Sequence, residues 1–247
     1  MKIHLLGTTG YHPTNTRQTA CLFLPEVGVV LDAGSGMFRV RDLIATETLD
    51  IFITHAHLDH VLGLTFLLDV LWQKPVQAVR VWGEAHKLAE IQTHLFSEAL
   101  FPVLPPIDWR PLATPTIPLP AGGTLRWFPL VHPGGSLGFR LDWPGHSLAY
   151  VTDTTAGPNV PYQSQLHNLN LLIHECNFTD DLTEWAVKTG HSCTSAVANL
   201  AAACQPQRLV LTHVNPLGND ADPVDLPTAR SIFPQTELAR DGQIWDF

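Results

Sequence analysis

The sequence predicts an α/β fold, on three observations. Short apolar runs bounded by Gly and Pro alternate with longer stretches of helical period. Several of those runs end directly on His or Asp, as strands do when their carboxyl ends line one rim of a sheet. The chain has 247 residues, 45% of them hydrophobic, which suffices for the buried core of one α/β domain spanning residues 1–247.

The elements follow in order. "KIHLL", "TACLFL" and "VGVVLDAG" read as strands separated by Gly and Pro turns, and "DIFIT" as a strand leading into a helix across "LDHVLGLTFLLDVLW". Strand "VRVWG" precedes helix "EAHKLAEIQTHLF". Residues 101–120, "FPVLPPIDWRPLATPTIPLP", are too rich in proline for a central strand, so they predict an ordered wrapping loop with short edge strands inside the same domain. Strands resume at "TLRWFPLVH", "LGFRLDW", "HSLAYVTD" and "LNLLIHE". A helix "TSAVANLAAAC", a strand "RLVLTH" and a short closing "GQIWDF" complete the chain. There is no internal repeat.

Charge and composition narrow the function. Asp and Glu number 23 against 14 Lys and Arg, a formal net charge of −9, and the basic residues are scattered. Stable nucleic-acid binding needs a basic stripe that this pattern lacks. No apolar run reaches the roughly 20 residues of a membrane span, and the start is polar where a secretory signal would be apolar. A soluble cytoplasmic protein with no membrane partner is the expectation. The four cysteines form no C-x-x-C pair and read as reduced and buried.

The chemistry concentrates in "FITHAHLDHVLGL". A strand ending in a tight loop before a helix projects His55, His57, Asp59 and His60 into one cleft, and neutral imidazoles with a carboxylate are the donors that zinc, manganese or iron accept. The alternative is a His-rich helix start with Asp59 as its cap. Three more donors sit at strand ends: His132 after "WFPLV", Asp153 after "LAYVT" and His213 after "RLVLT".

These motifs together resemble the metallo-β-lactamase superfamily, in its ribonuclease Z-like branch. "LLGTTGYHPTNTRQTACLFL" is similar to the branch's G-T-x-x-x-x-P-T-x-x-R turn, and "LDAGSG" to its D-x-G-x-G strand end. "THAHLDH" matches its metal loop, and "LLIHECNF" and "GHSCTSAVANLAAACQPQRLVLTH" its H-E-A-T and H-S-T segments. The resemblance implies a four-layer αββα sandwich with metals at one edge. It implies two divalent ions, foremost Zn2+ with Mn2+ or Fe as alternatives: His55, His57 and His132 on one, Asp59, His60 and His213 on the other, Asp153 bridging. It further implies a dinuclear metal-dependent hydrolase in which a hydroxide held between the ions is the nucleophile. Asp59 joins His191 and Glu175 as catalytic residues, the last two pairing so that His191 acts as general acid on a leaving alkoxide. The alternative has Glu175 as a structural acceptor and His191 in helix capping by Ser192 or Thr194. Two dications, two Asp and one hydroxide leave a local charge of +1, which suits a small anionic substrate.

The turn "GTTGYHPTNTR" makes His12 and Arg17 candidate substrate contacts, against a plain tight turn. Asp32 reads as a supporting residue whose loss leaves metal content intact. One departure bears on substrate. Ribonuclease Z proper inserts a tRNA-gripping arm between the third metal histidine and the bridging aspartate, whereas here only "PGGSLGFRLDWPGHSLAYVT" separates His132 from Asp153. The expectation is therefore a phosphodiesterase on a small, cyclic or related, phosphodiester. The alternatives are a thioester or lactone hydrolase and an RNA-processing endonuclease. The helix face near "LTFLLDVLW" is a candidate homodimer surface.

Overall fold

The computed structural model describes residues 1–218 and 221–247. Its strands in chain order are β1 (Lys2–Gly7), β2 (Cys21–Leu24), β3 (Val29–Leu31), β4 (Thr48–Phe52), β5 (Ala78–Gly83), β6 (Ile107–Pro111) and β7 (Thr116–Leu119). They continue with β8 (Gly123–Leu130), β9 (Ser136–Trp143), β10 (His146–Val151), β11 (Leu171–Glu175), β12 (Arg208–Thr212), β13 (Thr236–Leu238) and β14 (Ile244–Asp246). The helices are α1 (Val40–Leu43), α2 (Leu58–Val61), α3 (Leu67–Val70), α4 (Ala85–Glu90), α5 (Thr183–Thr189), α6 (Thr194–Cys204) and α7 (Leu226–Ile232).

The described residues form two compact units. The first comprises Met1–Thr114 with Asp241–Asp246, the second Pro115–Arg240 with Phe247. The first holds a sheet of order β14-β1-β2-β3-β4-β5-β6, antiparallel from β14 to β3 and parallel from β3 to β6. The second holds a sheet of order β13-β12-β11-β10-β9-β8-β7, antiparallel from β7 to β10 and parallel from β10 to β13. The proline-rich stretch yields β6 and β7, each an edge strand of its sheet, as the missing proline N–H requires.

Each sheet is sealed by its own helices. In the first unit Val40, Leu64, Leu67, Val70 and Leu88 pack with sheet residues Val30, Leu49, Ile51 and Val81. In the second, α6 lays Val197, Ala198, Leu200, Ala201 and Cys204 against Leu172, Leu209 and Leu211. Each fully buried Leu or Val contributes about 1.5–3 kcal/mol, so these faces set which side of each sheet the helices cover. All four cysteines are free and buried, as expected.

The helix predicted over residues 58–72 is instead three short turns: α2, a 3₁₀ turn Leu62–Phe66 and α3. Gly63 is the cause. Its amide donates to the Ala33 carbonyl at 2.7 Å, and a Cβ there would lie 2.2 Å from the Gly34 oxygen, so the helix is pulled against the β3 strand end. Leu62, Leu68 and Trp72 of this stretch are exposed. The helix from Glu84 likewise changes to a π-helical turn at Ile91–Leu95. The helices α5 and α7 and strand β13 are too short for the sequence pattern to reveal. Among the described residues no helix is long and apolar enough to cross a membrane.

Candidate metal centre

In both units most of the chemically rich residues follow parallel strands, at their carboxyl ends, while His132 follows the antiparallel β8. In the first unit Asp32 follows β3 and Thr54 to His60 follow β4. Asp32, at φ 59°, is fully buried and accepts from the Thr54 amide at 2.8 Å and the Thr54 hydroxyl at 3.0 and 2.9 Å. Its other oxygen lies 2.8 Å from His60 Nδ1. A carboxylate can only accept, so Nδ1 carries the ring proton and Nε2 offers the lone pair, the arrangement that orients a metal-ligating histidine. Asp32 is thus a support for His60.

The same strand end stitches the loop in place. The Ala33 amide donates to the His60 carbonyl at 2.8 Å, and a Cβ on Gly34 would lie 2.1 Å from the Asp59 carbonyl oxygen, so only glycine fits. The rings of His57 and His60 stand 4.4 and 4.3 Å from that of His55, and Asp59 Oδ2 is 3.4 Å from His60 Nε2. Asp59 does not cap α2; its carboxylate accepts from the Tyr11 amide at 2.8 Å, a contact between the N-terminal turn and the metal loop that the sequence did not disclose.

In the second unit Asp153 follows β10 at φ 49° and His213 follows β12 at φ 53°, both buried and both in the left-handed region that ordinary residues seldom adopt. Asp153 divides its carboxylate: Oδ2 lies 3.4 Å from His132 Nε2 and Oδ1 lies 3.3 Å from His213 Nε2. The other nitrogen of His132 donates to the Gly190 carbonyl at 2.9 Å, which again leaves Nε2 as the lone pair. Burial pushes the His132 imidazole below its ordinary pKa against the opposing pull of Asp153, favouring the neutral ring that a metal accepts.

Glu175, at the end of β11, is fully buried and receives three donors. Thr154 N (3.0 Å) and His191 Nδ1 (3.1 Å) reach one oxygen, and Ser192 N (3.3 Å) reaches the other. His191 lies 5.1 and 5.6 Å, ring to ring, from His132 and His213, and Asp153, His191 and His213 offer ligand-type atoms within 4.8 Å of one another. Helix capping does not account for this pair. The first turn of α6 is capped from outside by Asp180, which accepts from the Ser195 amide at 2.9 Å, while Ser192 Oγ is occupied by the Thr154 carbonyl at 2.7 Å. Behind Glu175, the buried His174 donates from Nδ1 to the Glu175 carbonyl at 2.7 Å and accepts the Tyr162 hydroxyl at 3.2 Å. Nothing in the sequence flagged Tyr162.

Of the two candidate substrate contacts, Arg17 is buried with its guanidinium donating to Thr8 Oγ1 at 2.6 Å, and His12 is exposed with Nδ1 toward the Pro13 carbonyl at 2.9 Å. His94 meets Glu90 at 3.0 Å, and His146 Nδ1 meets the Phe247 carbonyl.

Residues 29–214 match the family model described as the beta-lactamase superfamily domain. The chain belongs to the metallo-β-lactamase superfamily. A ribonuclease Z of Acaryochloris marina is 29% identical over 98% of this chain and 96% of its own length. That alignment runs over 303 positions although this chain has 247 residues, so the relative carries insertions that this chain lacks. Among solved structures, the metallo-β-lactamase fold protein YhfI of Bacillus subtilis superposes with a TM-score of 0.79 at 19% identity, covering 99% of both chains. A diphosphatase of the PhnP family superposes with a TM-score of 0.74 at 18% identity, over 100% of this chain and 97% of that one. The α/β fold expected from the sequence is therefore the metallo-β-lactamase fold, and the branch is the ribonuclease Z-like one. As a member of this superfamily the protein is a hydrolase dependent on divalent metal ions, and the donor set suits them: imidazoles with Nε2 presented and carboxylates beside them.

Proposed function

We propose that the protein is a phosphodiesterase of small anionic diesters. His55, His57 and His132 would hold one metal ion, Asp59, His60 and His213 a second, and Asp153 both, with Zn2+ the first choice. The observation that carries the diester reading is the Glu175–His191 pair beside Asp153 and His213. Bound divalent ions lower the pKa of coordinated water toward about 7 and polarise a phosphoryl oxygen. The protein's own part is the other half of the reaction. A departing alkoxide needs a proton, and Glu175, bonded to Nδ1 of His191, would stabilise the imidazolium whose Nε2–H delivers it, leaving the neutral ring behind. A thioester or an activated lactone gains less from such a donor. The split carboxylate of Asp153, one oxygen toward each of two imidazoles, supports a bridging role.

A ribonuclease Z-like RNA-processing activity is the second reading, favoured by the name of the Acaryochloris relative. Against it, residues 133–152 are used up by a turn, β9, a second turn and β10, with no stretch left for an arm. The net charge of −9 is also adverse. The test is hydrolysis by metal-loaded protein of an aryl phosphodiester, a nucleoside cyclic phosphate, a thioester, a lactone and a structured tRNA precursor. Preference for the small diesters is expected. Preference for either carbonyl substrate would overturn the reading, and submicromolar binding of the tRNA precursor with cleavage at one site would establish the second.

A further inference from the structure

We propose that the exposed ring of Tyr11, flanked by His12, is a stacking platform beside the metal loop and selects phosphodiesters that carry a planar base. This rests on the diesterase reading and narrows its substrate class.

Tyr11 is 82% exposed, so its ring is open to a ligand. Its backbone is held despite that exposure. It sits at φ 58°, in the left-handed region, and its amide donates to Asp59 Oδ2 at 2.8 Å. The main chain that carries the ring is therefore one hydrogen bond from the carboxylate of a proposed metal ligand. The His12 ring meets it edge-on at 5.5 Å and 60°, and its Nδ1 is engaged by the Pro13 carbonyl, which fixes the imidazole next to the phenol.

The turn that carries these rings is braced at its base. Asp241 accepts from Thr8 Oγ1 and the Gln18 amide, each at 2.7 Å, and pairs with Arg39 at 2.5 Å. Arg17 donates to Thr8, and the Thr14 amide to the Arg17 carbonyl at 2.9 Å. Arg17 thus stiffens the turn from within, whereas Tyr11 and His12 point outward. A solvent-facing aromatic surface on a braced turn beside the proposed metal loop fits a base. Every base has a π-face, and stacking on an aromatic side chain is sequence-tolerant. Aliphatic or sugar-only diesters would gain nothing from it.

The test compares adenosine 2′,3′-cyclic phosphate with ethylene cyclic phosphate, the same five-membered cyclic diester without sugar or base, using metal-loaded protein and the variants Tyr11→Ala and Tyr11→Phe. The contact with Asp59 is made by the main chain, so Tyr11→Ala removes the ring alone. Expected is a rise in KM for the adenosine substrate of roughly 5- to 150-fold in Tyr11→Ala, a matching shift in its selectivity over ethylene cyclic phosphate, and recovery in Tyr11→Phe. Equilibrium dialysis of adenosine monophosphate should show the same loss of affinity. Equal losses on both cyclic phosphates, or a wild-type selectivity ratio in Tyr11→Ala, would overturn the platform while leaving the diesterase standing. Hydrolysis of neither by wild type, with carbonyl substrates accepted, would remove the diesterase and the platform together.

Discussion

Asp32→Asn tests how the first unit presents His60, and its size follows from four hydrogen bonds. The substitution is isosteric, so a fully buried site keeps its volume. The Thr54 amide donates at 2.8 Å and can only be met by the new amide's oxygen. The NH2 group is then turned to His60, 2.8 Å from Nδ1, and two donors cannot share that contact. Relief comes only if the ring moves its proton to Nε2, which removes the lone pair that a metal needs. Supporting partners of this kind typically set 10- to 100-fold in metal affinity, about 1.4–2.7 kcal/mol. Chelator-competition titration of metal-free Asp32→Asn should therefore show one of two sites weakened by that factor, with the His60 ring nitrogens exchanging protonation in ¹⁵N spectra. Affinity within twofold of wild type together with a retained Nδ1–H tautomer would show that Asp32 does not orient His60.

Three further outcomes are expected. Asp153→Ala should lose bound metal, abolish turnover and lower Tm by mass action, checked by metal analysis and calorimetry; two retained metals would refute the bridge. His191→Ala should keep its metals while slowing diesters with alkoxide-like leaving groups by roughly 10²–10⁴-fold and activated aryl diesters far less, with Glu175→Gln a milder copy; equal losses on both classes would withdraw the acid role. His174 concerns pH. Burial drives its imidazole below the ordinary value against the pull of the Glu175 carbonyl, so below about 6.5 the unfolded chain binds a proton that the folded one refuses. Stability should then be complete above about pH 6.5 and fall by up to about 1.4 kcal/mol per pH unit beneath it. Urea unfolding of wild type and His174→Gln over pH 5–7.5 should differ in slope by that amount, and parallel slopes would show that His174 does not contribute.

What the sequence discloses are features written into a few adjacent residues. "THAHLDH" places four donors within one loop, and the alternation of strand and helix patterns places their neighbours at strand ends. Proline content alone made edge strands of β6 and β7. What it conceals depends on contacts between distant residues. Gly63 breaks the predicted helix because Gly34, 29 positions earlier, lies against it, and Tyr11 acquires its position from Asp59 through a main-chain bond that has no side-chain signature. Tyr162 is hidden for the same reason, since its partner His174 became visible only once β11 was in place. The supporting role of Asp32 was legible, but its partner His60 was not, because a hydrogen bond to a ring nitrogen is recorded in no motif.

The return of β14 to the first sheet has a consequence for biosynthesis. The second unit is contiguous but for Phe247, whereas the first is divided in the chain by nearly the whole of the second. The first unit's edge strand β1 gains the partner β14, and Thr8, Gln18 and Arg39 gain Asp241, only after nearly the whole second unit has been made. At roughly 5–20 residues per second the interval is about 10–50 s. During it β1 is an unpaired sheet edge, open to pairing with the same strand of a neighbouring nascent chain. Slowing translation of the second unit should thus lengthen the time at risk, and cells expressing the protein heavily would be expected to lose it first to aggregation seeded at the amino-terminal strand.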